Sequence, residues 1–172
     1  MNAMAAPPRL VILLLALAGF ASMASMRVTD AMLPALSQAF ARPVADVAQN
    51  ITLFAIAYGV MQLAYGPLGD RHGTLRVIGL ATLACAVGAL GSALAESLPM
   101  LLLFRTLNGA TAAAIIPLSM AWVGDNVPYE RRQVTLAHML SGAVLGLISG
   151  QVAGGFLADT LGWQAAFMLL TL

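Results

Sequence analysis

A chain of 172 residues in which 60% are hydrophobic and 9% are charged is not an ordinary soluble domain, because such domains carry about 25% charged residues to cover their surface. The formal net charge of +1 supplies no basic stripe for nucleic acid, and Cys85, the single cysteine, can form no disulfide within the chain. These quantities, with a mean hydropathy of +0.90, leave an all-α polytopic membrane helix bundle as the expected fold class.

A bilayer core takes about 20 mainly apolar residues per helix. Five such stretches and the start of a sixth follow in order. The first runs from about Leu10 to Leu36 and contains Arg27 and Asp30. The second runs from about Val47 to Tyr65, and GPLGDRHGTLR then reads as a loop. The third runs from about Val77 to Leu94, and the fourth from about Met100 to Val123. The fifth runs from about Val134 to Leu157, and the sixth from about Gln164 to Leu172. The sixth reaches roughly 13 Å at about 1.5 Å per residue, against a core of about 30 Å. The expectation is a fragment or truncated product that stops within helix 6, with the C-terminal half of the polypeptide missing.

All basic residues are arginines. With the N-terminus in the cytoplasm, Arg9, Arg71, Arg76, Arg131 and Arg132 fall inside and Arg42 outside, which satisfies the positive-inside rule. LVILLLALAGF followed by ASMAS also resembles a signal peptide. Its basic region is Arg9 alone, however, and four more spans follow, so a first transmembrane helix is the more economical reading.

Between the second and third spans the residues read G66-P-L-G-D70-R71-H-G73-T-L-R76. Gly66 and Gly73 permit a tight reversal, and Asp70 and Arg71 stand where a helix pair meets the interface. Composition alone would make this a solvated loop. The spacing resembles the signature G-x-L-A-D-R-x-G-R-K between helices 2 and 3 of the major facilitator superfamily. Gly66, Leu68, Asp70, Arg71 and Gly73 match, and Gly69, Thr74 and Leu75 depart. Four further stretches are similar to that family's motifs, in its order: RVTDAMLP (27–34), FRTLNGATAAA (104–114), SGQVAGG (149–155) and GWQAAF (162–167). They resemble the acidic helix 1 motif, R-x-x-Q-G of helix 4, the antiporter motif G-P-x-x-G-G of helix 5 and W-R-x-x-F of helix 6. Asn108 replaces the glutamine and Gln151 the proline.

The resemblance implies the N-terminal six-helix half of a transporter closest to the drug/proton antiporters. It implies proton-coupled efflux of small molecules by alternating access, in a bacterial inner membrane, with no cofactor and no metal. A fragment of this kind is not expected to transport alone. A uniporter or organic-acid transporter of the same fold is the alternative, and a non-transporting membrane scaffold the alternative of another class. By the same resemblance, Gly66, Asp70, Arg71, Gly73 and Arg76 form a conformational latch on the cytoplasmic side; Asp125, at the end of the fourth span, either joins it by pairing with Arg71 or Arg76 or lies in a solvated loop.

Ionisable residues within spans are rare and usually face a cavity or a partner. Arg27 and Asp30, three apart, share a helix face. They are a mutual ion pair, or a coupling site in which Asp30 carries a proton or contacts substrate, or a pair whose Asp30 lies near the outer mouth in water. Arg105 is either a snorkelling side chain or, as the resemblance implies, a cavity residue tied to proton coupling, with Asn108 one turn on. Gln62 and Gln151 are further cavity candidates. Gly142, Gly146, Gly150 and Gly154, with Gly155 beside them, form a small-residue stripe for close helix packing. No metal cluster, phosphate loop or nucleophile–base arrangement appears, so the reading is not an enzyme.

Overall fold

The computed structural model describes residues 9–171. Among them there are helices and turns only: α1 (Arg9–Arg27), α2 (Leu33–Phe40), α3 (Val44–His72), α4 (Thr74–Ala93), α5 (Leu98–Ala112), α6 (Ile115–Asn126), α7 (Tyr129–Thr160) and α8 (Trp163–Leu169). This is the architecture that lipid demands, since a helix satisfies its backbone groups within itself. Among the described residues, five stretches are long and apolar enough to cross a membrane, with α5 and α6 together forming the fourth. The chain is an integral membrane protein.

Two expected spans are each broken in two, for one physical reason. Proline has no N–H and its ring collides with the carbonyl four residues back. Pro34 denies a bond to the Asp30 carbonyl, and the first span unwinds between α1 and α2. There Asp30 N bonds Arg27 O at 3.1 Å and Met32 N bonds Thr29 O at 3.2 Å, both tighter than α-helical spacing. Pro117 does the same to Ala113, where Ala114 N bonds Thr111 O at 3.3 Å between α5 and α6.

The second helix is longer than expected. It continues through GPLGDRH to His72, with Pro67 inside it. The reversal falls on Gly73 alone, at φ 89°, a left-handed conformation that favours glycine. Gly66 sits within the helix, with open space around it. Arg71 and His72 occupy the last turn and Asp46 the first, each at the end whose dipole favours its charge. The fifth span likewise extends to Tyr129–Thr160. At the other end of the chain, α8 gives way to turn at Leu170, and Leu172 lies outside the described residues.

The glycine stripe of α7 packs against α1. A Cβ on Gly142 would stand 2.6 Å from the Ala16 carbonyl oxygen, and Cβ atoms on Gly146, Gly150 and Gly154 would strike the backbones of Phe20, Ala24 and Val28. Both series step by four residues, so two backbones lie against each other for about three turns. Gly155 is turned slightly aside, towards the Ala31 methyl.

Two apolar clusters occupy opposite ends of the bundle. One gathers Leu15, Tyr65, Val77, Leu118, Trp122 and Met139. The other gathers Val28, Leu36, Val47, Leu101, Trp163 and Phe167. Ser22, Ser25, Asn50, Arg105 and Asn108 are buried on the stretches between the two, whereas Thr29, Ser119 and Thr135 lie within or beyond a cluster. The outer surface is apolar, with Leu63 84% exposed, as expected of a face that meets lipid or other apolar protein.

Candidate functional site

The polar layer between the clusters is built around Arg105. Its side chain is fully buried, the largest to be so in the described chain. A buried cation is costly unless partnered. Arg105 Nη1 donates to the Ser25 carbonyl at 2.9 Å and approaches Ser25 Oγ at 3.5 Å. Asn108, one turn along α5, donates from Nδ2 to the same Oγ at 3.2 Å. The guanidinium carbon lies 4.4 Å from the Phe54 ring centroid and 5.9 Å from that of Phe167. Snorkelling to the headgroups is therefore not what this arginine does.

The acceptor on Ser25 follows from the break in the first span. In an unbroken helix the Thr29 N–H would bond Ser25 O. Here the turns at Asp30 and Met32 take over, and the Ser25 carbonyl points its lone pair at Arg105.

Arg27 and Asp30 form the one ion pair among the described residues, Nη1 to Oδ2 at 2.6 Å. The side chain of Arg27 is 47% exposed and that of Asp30 17%, so the pair sits at the edge of the bundle with its carboxylate turned inward. The other oxygen of Asp30, Oδ1, is buried without a protein partner, as are Arg105 Nε and Nη2, Asn108 Oδ1, Asn50 Oδ1 and Thr29 Oγ1. Unpartnered donors and unpartnered acceptors thus coexist in one layer.

The structure brings Arg105, Asn108 and, more loosely, Asp30 and Arg27 to this layer. Gln62 and Gln151 are exposed on α3 and α7, away from it. Asp70, Arg71, Arg76 and Asp125 are exposed as well, and the expected ion pair of Asp125 with Arg71 or Arg76 is not formed: both charges keep their solvation instead. Ser25, Phe54, Ser22 and Asn50 were not singled out from the sequence. Asn50 carried a signal, an amide inside an apolar span. The Ser22 and Ser25 pair, three apart on α1, carried a weaker one.

A cavity of about 870 Å³ opens between α1, α4, α7 and α8. Its walls are mostly apolar, and Ser25 is the only member of the Arg105 cluster that reaches them. It has no convergence of polar groups of the kind that orients a ligand.

The profile of the Major Facilitator Superfamily matches residues 15–172. The chain belongs to that superfamily. Among similar superfamily proteins, an uncharacterized MFS-type transporter, YwfA of Bacillus subtilis (strain 168), is 30% identical over 162 residues, 94% of this chain and 39% of the relative. The multidrug export protein EmrB of Haemophilus influenzae is 28% identical over 160 residues, 93% of this chain and 31% of the relative. A crystal structure of a bacterial homologue of the human lysosomal transporter Spinster, inward-facing and unoccupied, superposes with a TM-score of 0.82 at 20% identity. It covers 95% of this chain and 40% of that one, which shows the major facilitator fold. The chain spans less than half the length of the relatives it matches.

Proposed function

We propose that this chain supplies the N-terminal half of a secondary transporter that exports small molecules in exchange for protons. Two pseudo-symmetric halves would rock about a site near the bilayer midplane, and this chain provides one wall of it. The observation that carries the reading is the fully buried Arg105, with no carboxylate in ion-pair contact, set between two apolar clusters. Intramembrane charge is retained where it serves transport. Arg105 and Asp30 are the residues assigned to coupling, with Asn108 orienting the arginine and Arg27 holding Asp30 when no proton is being passed. Similarity to multidrug export proteins supports the outward direction. The arginine distribution supports a cytoplasmic N-terminus in a bacterial inner membrane. The helix-end residues Gly66, Asp70, Arg71, Gly73, Arg76 and Asp125 would then lie on the cytoplasmic side, where the second half can meet them and complete a latch.

The test uses everted vesicles carrying the complete polypeptide, with uptake driven by an imposed proton gradient. Arg105→Ala is expected to abolish gradient-driven uptake while the protein remains folded and membrane-inserted. Uptake at the native rate would overturn the assignment. The departures at Asn108 and Gln151 from the antiporter motifs favour a second reading, a uniporter or organic-acid transporter. Transport that persists after the proton gradient is collapsed would select it.

A further inference from the structure

We infer that Phe54 is a positioning residue for Arg105, its ring face supplying the negative potential that a carboxylate supplies elsewhere. The inference deepens the coupling role proposed for Arg105 and rests on that reading for its link to transport.

The geometry has three parts. First, Arg105 is wholly buried, and its hydrogen-bonded protein acceptors are the carbonyl and hydroxyl of Ser25 alone. Both engage Nη1, on one side of a planar group, and leave Nε and Nη2 without a protein partner. Two bonds to one nitrogen do not fix the orientation of that plane. Second, the Phe54 ring, itself 1% exposed, lies 4.4 Å from the guanidinium carbon. That is well within the roughly 6 Å over which a ring quadrupole attracts a cation, and desolvation strengthens the attraction. Phe167, at 5.9 Å, stands at the limit of that range. Third, the approach of α3 to α5 is set by Gly109, one turn beyond Arg105. A Cβ there would collide with the Phe54 carbonyl and stand 2.8 Å from its Cα. The glycine lets the α3 backbone close on α5 at Phe54, the residue whose ring stands nearer the arginine. Arg105, Phe54 and Gly109 therefore form one device, in which Gly109 admits the ring and the ring orients the cation.

The device also accounts for a neutral acceptor set. A carboxylate locked to Arg105 would hold Asp30 or a substrate anion away. A π face steadies the guanidinium and leaves two of its nitrogens free to donate.

The experiment replaces Phe54, in the complete polypeptide, with phenylalanine analogues bearing one, two and three ring fluorines. Each fluorine weakens the negative face and barely alters the shape. The melting temperature of the purified transporter and its gradient-driven transport are measured across the series. Both are expected to fall stepwise, transport by roughly tenfold at three fluorines. In an Arg105→Met background the thermal trend should vanish, because no cation remains to be attracted. A level melting temperature across the series in the native background would overturn the inference, since a ring that only fills space is indifferent to its quadrupole. So would a slope that survives in Arg105→Met. A thermal slope that depends on Arg105, found with transport indifferent to Arg105, would uphold the positioning and overturn only the coupling role. Should Arg105→Met fail to fold, the native series decides alone, with Gly109→Ala beside it. That variant is expected to lose gradient-driven transport by lifting Phe54 from the arginine, and native transport in it would count against the device.

Discussion

Ser25 does two jobs with two oxygens. Its carbonyl takes the charged bond from Arg105 at 2.9 Å, and its hydroxyl takes the amide of Asn108 at 3.2 Å. Ser25→Ala removes the second and keeps the first. A neutral hydrogen bond contributes about 1 kcal/mol, and a buried amide left unpaired costs about 1–3. The variant is therefore expected to lose about 1–3 kcal/mol of stability, read as a lower melting temperature, while Arg105 stays seated and gradient-driven transport falls only modestly. Loss of transport equal to that of Arg105→Ala would show that the hydroxyl, and not the carbonyl, holds the arginine. At this scale the sequence was half legible. A lone arginine in an apolar span declares itself, because charge there is expensive. Its partner does not, because a backbone carbonyl has no letter of its own, and the serine that carries it looks like any small residue on a packed helix.

Among the elements, the prolines explain what periodicity did not. The mainly apolar run from Leu10 to Leu36 reads as one helix, yet Pro34 ends α1 seven residues before itself and starts α2 one residue before itself. The missing bond falls four residues upstream of the proline, at a residue whose own letter, here Asp30, does not declare a helix end. The same holds for Pro117 and the joint between α5 and α6. Conversely, the charged and glycine-rich stretch after Tyr65 looks like a loop and is mostly the last turns of α3, because a helix end at a polar boundary tolerates charge and a surface proline. The glycine spacing on α7 was legible as a packing stripe. That it packs on α1 was not, since the facing positions Ala16, Phe20, Ala24 and Val28 contribute backbone, and their side chains share no pattern.

The joint at Pro34 is expected to be functional. Pro34→Ala restores an N–H to the Asp30 carbonyl and removes the ring clash, so the first span can rewind. Rewinding returns the Thr29 N–H to Ser25 O, where it competes with Arg105. Hydrogen bonds to charged groups contribute about 1.5–3 kcal/mol, so gradient-driven transport is expected to fall roughly tenfold or more, with no loss of melting temperature. A variant that transports normally would show that the break is only a packing accommodation.

For the whole molecule, the orientation is the first thing to establish. With Cys85→Ser as background, cysteines at Asp70 and Arg76 are expected to react with an impermeant thiol reagent in everted vesicles and not in intact cells. A cysteine at Glu96 or Arg42 is expected to do the reverse. Both pairs are exposed at opposite ends of the bundle, so failure to label is not expected from burial. The opposite pattern would invert the topology and move Asp70 and Arg76, with the latch proposed for them, to the external face. Fold class and family were legible at this scale from composition and five ordered motifs. The buried polar layer was less so, because it is assembled from α1, α3, α5 and α8, and separations of about 80 residues between Arg105 and Ser25 leave no local trace.

The meeting of α1 and α7 sets how this molecule can move. Glycines every fourth residue seat the carbonyls of the opposing helix like teeth in notches. A slide of an ångström or two would drive a backbone oxygen onto the next side chain, so intermediate offsets are shut. The next register that fits lies a full four residues away, about 6 Å along the axis, and would carry Ser25 out of reach of Arg105. Gradual slippage between these two helices is thereby replaced by a choice of all or nothing. Any rocking that the membrane protein performs must carry α1 and α7 together as a single stiff beam, and the flexing must occur at the joints that Pro34, Gly73 and Pro117 provide.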